Sequence, residues 1–387
     1  MTQQGQVSEQ AAREPADGGD WRRAWDGMTA AVGRDFSGGA VTYGADPVAV
    51  SDIRRFLEPL EFDCPLHYDR EAAQAAGFAD VTLPYTAVMT WSIPAMWSPG
   101  DPPLFDDDSR DAQPARSPIN NADPGPAPPT SGFFATDLEM DFLRPVVAGE
   151  RVARRGRKLL SCTPKETSVG RGAFLNWESE FTNDRGDVIA RMRTGTYAYR
   201  PHPARPHPAQ PGGAVTPARR SSASPGPEPG LSAGTAASPL AGQRYFEDVR
   251  PGEEIPAVSF PLTVYRLVMA AGGNRDFNSI HHNGEYARST GAPDVYASSA
   301  FLLGTWERAI RDWIGCAGTI RSVRGFRMRQ FNVVGDTMRV LGHVVSADQA
   351  HGPGLITLEL RSETSAGITV GPGRVEVTLP RRAGERP

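Results

Sequence analysis

Apolar positions recur at helical spacing early in the chain and at alternating spacing later, and this order occurs twice. Val48, Ile53, Phe56, Leu57 and Leu60 stand near helical spacing and predict a helix over Val48–Leu60. A second, short helix is predicted over Asp69–Ala76, with Asp69 as its cap and Gly77 as its stop. A third, from Thr86 toward Trp97, is apolar nearly all round and predicts a buried core helix kinked at Pro94. The period then changes. Leu138, Met140 and Phe142 alternate with Glu139 and Asp141, and strands are predicted over Phe134–Phe142, Glu150–Cys162, Gly172–Asn183 and Asp187–Tyr199. Asn183-Asp184-Arg185-Gly186 is a hairpin turn signal between the last two.

From Tyr245 to Pro380 the plan repeats. A helix is predicted over Thr263–Ala271, a polar loop with a short helix over Asn274–Thr290, and a long apolar helix over Ser298–Ile314. Strands follow over Thr319–Asn332, Thr337–Ser346, Leu355–Ser365 and Ile368–Leu379. Local phrases also match: Arg144-Pro-Val-Val-Ala-Gly-Glu with Phe331-Asn-Val-Val-Gly-Asp, and Asn183-Asp-Arg-Gly with Glu363-Thr-Ser-Ala-Gly. Each half is a helix packed on an antiparallel sheet, an α+β plan, and the repetition implies duplication of one unit.

Three segments cannot support a core. Residues 1–20 are short and polar and are expected to be disordered. Residues 99–131 hold nine of the 35 prolines and read as a disordered or loosely held loop. Residues 201–243, rich in Pro, Ala, Gly and Ser, read as a linker. The domains are therefore 21–200 and 244–380, joined by 201–243. His202 and His207 in the linker could bind metal on composition alone, but a solvated Pro-rich tether accounts for them. No metal and no cofactor is expected.

The 387 residues carry 41 Lys and Arg against 45 Asp and Glu, a net charge of −4, which is too mild and mixed for general nucleic-acid binding. No apolar run is long enough to span a membrane, and the polar N-terminus is no secretory signal. Cys64, Cys162 and Cys316 are far apart and form neither a zinc spacing nor a disulfide framework, so a reducing cytoplasm is the expected location.

The chemistry concentrates in Gly273-Asn-Arg-Asp-Phe-Asn-Ser-Ile-His-His-Asn-Gly-Glu-Tyr-Ala287. Asp276, Asn278 and His281 lie within six residues of a Gly-flanked loop. One turn of that loop can aim Asp276 and His281 into one cavity, where the pair can hold a water and move a proton. A helix-capping Asp beside an exposed His is the alternative.

This segment resembles the signature of the MaoC-like (R)-specific enoyl-CoA hydratases and dehydratases, Asp-x-Asn-x-x-His followed by five residues and Ala. Asp276, Asn278, His281 and Ala287 match it. The chain is similar to two-domain members whose N-terminal half is like the fungal fatty-acid-synthase dehydratase domain, over about 45–200 and 245–380. The resemblance implies a double hot-dog fold and a water that adds to an enoyl thioester or leaves a 3-hydroxyacyl one. It departs at three places: Arg275 stands where the family has Gly, Ser279 where it has Pro, and Ser298 or Ser299 where a Gly donates a backbone N–H to the thioester oxygen. A helix N-terminus still favours a developing enolate there without Gly.

Aligning the halves sets Phe62 against Asp276, Cys64 against Asn278 and His67 against His281. The first half reads as a decayed copy that shapes the acyl pocket through Phe62, with a reactive Cys64–His67 pair as a lesser alternative. Tyr296 is a candidate for the acyl tunnel. Arg321 and Arg324 are candidates for CoA phosphates or an acidic carrier protein, although a solvated strand face explains them equally. Trp306 and Trp313 are read as core. The expected activity is a hydro-lyase on CoA- or carrier-bound acyl thioesters. A hot-dog thioesterase and a non-catalytic acyl-binding partner are the alternatives, and a homodimer is left open.

Overall fold

The computed structural model describes residues 20–117, 125–167, 169–202, 242–348 and 354–382. The expected disordered N-terminus and linker thus lie, but for their edges, outside the described residues. Helices run in the order α1 (Asp26–Ala30), α2 (Val50–Leu57), α3 (Arg70–Ala75), α4 (Val88–Trp91), α5 (Val264–Gly273), α6 (Gly284–Ser289) and α7 (Ser299–Ile314). Strands are β1 (Val41–Tyr43), β2 (Gly132–Phe142), β3 (Ala153–Glu166), β4 (Gly170–Thr182), β5 (Val188–Pro201), β6 (Glu254–Pro261), β7 (Thr319–Arg327), β8 (Thr337–Asp348), β9 (Gly354–Thr364) and β10 (Gly367–Leu379). They form one sheet in the order β1-β3-β4-β5-β2-β7-β10-β9-β8-β6. The halves therefore share a continuous sheet, joined where β2 meets β7 antiparallel, with Leu138 opposite Phe326 and Met140 opposite Val323.

The duplication is explicit in the backbone. Thr82 bridges Val147 in the first half as Tyr296 bridges Val333 in the second. The flanking bonds repeat as well: Leu83 N–H donates to Val146 O, and Ala297 N–H to Asn332 O. These are the two phrases the sequence paired.

The long helix α7 lies where its signals placed it. The Ser298 hydroxyl caps it by accepting from Phe301 N–H at 3.3 Å, and Gly315, at φ 71°, ends it. Trp306 and Trp313 are core, and Trp306 donates its indole N–H to Ser362. The one carboxylate fully buried on α7, Glu307, crosses to the first half. It accepts from Tyr85 N–H (2.8 Å), Thr86 N–H (2.7 Å) and the Thr86 hydroxyl (2.6 Å). Burial pushes its carboxyl up against the pull of these donors and of Arg311.

The helix expected from Thr86 toward Trp97 is much shorter: α4 stops at Trp91. Pro94 bars the helical conformation at Ile93, and the Ser92 hydroxyl bonds back to Met89 O. Gly44 then packs on the end of α4, where a Cβ would come 1.8 Å from Trp91 O. Two features had no counterpart in the sequence reading. The segment around α1 packs Trp25, Met28 and Phe36 on Leu159, Leu175 and Trp177 as a second, smaller core. Strands β1 and β6 close the two edges of the sheet.

Candidate functional site

The site sits on the loop between α5 and α6, facing the entry to α7. Asn278 caps the short turn Ser279–His281 by accepting from Ile280 N–H. That turn buries His281 and points it back at Asp276, with Nε2 3.3 Å from Oδ2. The Nδ1 atom lies 2.7 Å from Tyr296 O. A carbonyl only accepts, so Nδ1 carries a hydrogen, and Nε2 faces the Asp276 carboxylate. The imidazole and the carboxylate so placed converge on one point, which suits a water bonded to both. Among the described residues no group of three His, Cys, Asp or Glu side chains converges as for a metal ion.

Tyr296 stands edge-on to His281 at 5.4 Å and against Phe331 at 4.7 Å, walling the pair. Burial, with Asp276 close by, pushes its phenol up to about 12, so it stays a neutral donor. Ser298 and Ser299 stand at the cap and first position of α7, where N–H groups have no carbonyl four residues back. Asn274, also buried, donates to the Ser298 hydroxyl at 3.3 Å and ties that helix start to the Asp276 loop.

Two described residues of the 99–131 loop reach this segment. Asp111 accepts from Asn283 at 2.6 Å, and Gln113 bonds to the Ser279 hydroxyl at 3.0 Å. Polar side chains give that Pro-rich stretch fixed partners without a core of its own. Ser279, a departure from the family pattern, is thus a contact between halves. Nothing in the sequence signalled Asp111 or Gln113.

In the first half His67 repeats the second. Its Nδ1 lies 2.8 Å from Thr82 O, fifteen residues on, as His281 meets Tyr296 O fifteen residues on. Phe62 fills the place of Asp276, edge-on to His67 at 5.2 Å, and is buried in the core. Burial pushes His67 down to about 3, so it is neutral, and its Nε2 has no hydrogen-bond partner among the described residues. The Cys64–His67 pair does not form. The Cys64 thiol interacts instead with Cys316 of the second half, which raises Cys64 and lowers Cys316.

The two arginine candidates lie elsewhere. Arg324 bonds Met140 O at 2.8 Å and pairs with Asp141 across the β2–β7 seam. That pairing commits its guanidinium to the joint of the halves. Arg321 is exposed on β7, and its charge acts on Tyr85.

A family model described as FAS1-like, dehydratase domain region, matches residues 30–192. A UPF0336 protein of Parafrankia sp. is 32% identical over 160 residues, 41% of this chain and 89% of that protein. This chain shares its family with that UPF0336 protein, and its residues 30–192 are a FAS1-like dehydratase domain region. A probable enoyl-CoA hydratase alpha subunit of Thermomonospora curvata is 26% identical over 179 residues, 45% of this chain. The match spans 51% of that relative, so this chain covers about half its length. A 3-oxo-4,17-pregnadiene-20-carboxyl-CoA hydratase beta subunit of Mycobacterium tuberculosis is 28% identical over 101 residues, 26% of this chain and 74% of that one.

Solved structures give the fold. A MaoC-like dehydratase superposes with a TM-score of 0.62 at 17% identity, covering 92% of this chain and 100% of its own. A double-hot-dog protein of Mycobacterium tuberculosis superposes with a TM-score of 0.58 at 12% identity, covering 90% and 96%. The chain is a double hot-dog, as the resemblance implied, with the first of its two core helices cut short. No described helix is long and apolar enough to cross a membrane.

Proposed function

We propose that the protein is a hydro-lyase that adds water to an enoyl thioester, or removes it from a 3-hydroxyacyl thioester, carried on CoA or on a carrier protein. The observation that carries this reading is the Asp276–His281 pair at 3.3 Å, with the imidazole tautomer fixed by Tyr296 O. In hydration the water oxygen bonds the β-carbon while Asp276 and His281 take its proton. The same pair returns a proton to the α-carbon on that face, so water adds syn. The N–H groups of Ser298 and Ser299, at the positive end of α7, meet the thioester oxygen as enolate charge develops. Asn278 holds the turn, and Tyr296 and Phe62 belong to the acyl pocket.

Dehydration is the reverse, with the same groups in the opposite roles. The names of the Thermomonospora and Mycobacterium relatives support a CoA thioester as substrate and a multi-subunit assembly. A thioesterase would use a carboxylate to drive water onto the carbonyl and would not need an imidazole paired with it. Glu307, the fully buried carboxylate of α7, has its oxygens taken by Tyr85 and Thr86.

The test is incubation with crotonyl-, longer enoyl- and 3-hydroxyacyl-thioesters, following loss of enoyl absorbance and product mass. Gain of one water without release of thiol is expected. Thiol release would support the thioesterase, and ligand binding without turnover the non-catalytic partner.

A further inference from the structure

Asp276 follows a residue with an unusual backbone. Arg275 has φ 55°, left-handed, and the one other described non-glycine residue with positive φ is Glu61, at 49°. The two occupy equivalent turns. Arg275 N–H donates to Gly272 O and Asp276 N–H to Ala271 O; Glu61 N–H donates to Glu58 O and Phe62 N–H to Leu57 O. A side chain at such a position is strained where glycine is not. Each half nonetheless carries a long charged residue there, and each side chain crosses to the other half. Glu61 pairs with Arg266 of α5 at 2.9 Å. Arg275 forks onto two carbonyls of the first half, Ile93 O at 2.8 Å and Pro94 O at 2.9 Å.

Those carbonyls are available because α4 ends early and Pro94 lets no helix follow. The packing beside the latch is close: a Cβ on Gly273 would come 2.5 Å from Arg55 O of α2. The end of α5, the Arg275 turn and Asp276 therefore have little room to shift independently of the first half.

We propose that Arg275 is a positioning residue. Its guanidinium latches the left-handed turn to Ile93 and Pro94 and thereby fixes where the next residue, Asp276, meets His281. The proposal rests on the hydro-lyase reading for its kinetic consequence but not for its geometry. It gives the non-catalytic half a mechanical part in the reaction, because the first half supplies the acceptors that aim the carboxylate.

Arg275→Gly removes the latch while suiting the turn, so the backbone is kept. Turnover of an enoyl thioester hydrated by the wild type is expected to fall about 10- to 100-fold, with KM within about twofold, as for a misplaced group. Arg275→Lys keeps the charge without the planar fork and is expected to fall between Gly and wild type. Glu61→Gly loosens the equivalent turn of the half that lacks the pair, and should keep kcat within about twofold even if its denaturation midpoint drops.

The second readout needs no substrate. With ¹³C-labelled histidine, the His281 resonance, assigned through His281→Ala, is titrated by NMR in each folded variant. The midpoint is expected to move in Arg275→Gly and to a lesser degree in Arg275→Lys, and to stay in Glu61→Gly. Wild-type kcat together with a wild-type His281 titration in the Arg275 variants would overturn the proposal. So would an equal loss of kcat in Glu61→Gly, which would make the effect one of association between halves. Failure of the wild type to hydrate any enoyl thioester would strike the hydro-lyase reading, and the His281 titration alone would then decide the latch.

Discussion

His67, the relic of the second histidine, should make the fold acid-labile. It is 2% exposed and faces Phe62 where His281 faces Asp276, so no carboxylate rewards its protonation. Burial, aided by the charge of Arg311, pushes its pKa from 6.5 down to about 3. Between those values the unfolded chain binds a proton that the folded chain refuses, so stability rises with pH and is lost as pH falls below 6.5. Each pH unit costs about 1.36 kcal/mol, so moving from pH 7.5 to 5 costs about 2 kcal/mol through this residue alone. His67→Leu removes the titration. It forfeits the bond to Thr82 O, about 1 kcal/mol at neutral pH, and gains on the wild type below about pH 6. Urea unfolding followed by tryptophan fluorescence at pH 4.5–7.5 gives both curves. Curves that stay parallel across that range would refute the reasoning.

Asp276→Asn and His281→Ala should each lower turnover about 10²- to 10⁴-fold, with melting temperatures little changed in a thermal scan. His67→Ala should affect kcat far less than His281→Ala on the same substrate; an equal loss in folded protein would mean that the reaction uses both halves. Changes at Phe62 should shift chain-length preference, mostly through KM across a panel of acyl chains. Glu307→Ala strands two backbone N–H groups and the Thr86 hydroxyl, and should cost about 3–5 kcal/mol in chemical denaturation, with Glu307→Gln costing less.

Sequence pattern was most informative where period, cap and stop agreed. Helix α7 runs from a Ser cap to a Gly stop, and both signals were readable. The long strands alternate and are joined by recognisable turns, so seven of the eight expected strands overlap their predicted ranges over nearly their full length, and β7 ends sooner. Strand β6 escaped because it is an edge strand carrying Pro256 and Pro261, which argue against a strand on sequence alone. Helix α4 was overread because an apolar run gives no length, and Pro94 ended the helix rather than kinking it. The Asp276, Asn278 and His281 spacing was legible as local chemistry. The partners Ile93, Pro94, Asp111 and Gln113 were not, since they lie more than 160 residues away in sequence and follow no period.

The two halves hold the same backbone device and use it differently, which argues that asymmetry here is a matter of side chains rather than of fold. Both position a histidine by bonding Nδ1 to a carbonyl fifteen residues on, and both precede the key residue with a left-handed turn. In one half Nε2 meets a carboxylate that is 25% exposed, in reach of water. In the other it faces a buried phenylalanine. The exchange of Asp276 for Phe62 removes the carboxylate that would hold a water beside the histidine. The long helix is likewise kept in one half only. Its N-terminus serves the Asp276–His281 pair, and its Glu307 holds the first half in register. The shortened α4 in turn leaves the carbonyls that Arg275 grips. Loss of one helix and gain of one latch are two sides of the same arrangement: the half without the pair has become the frame that holds it.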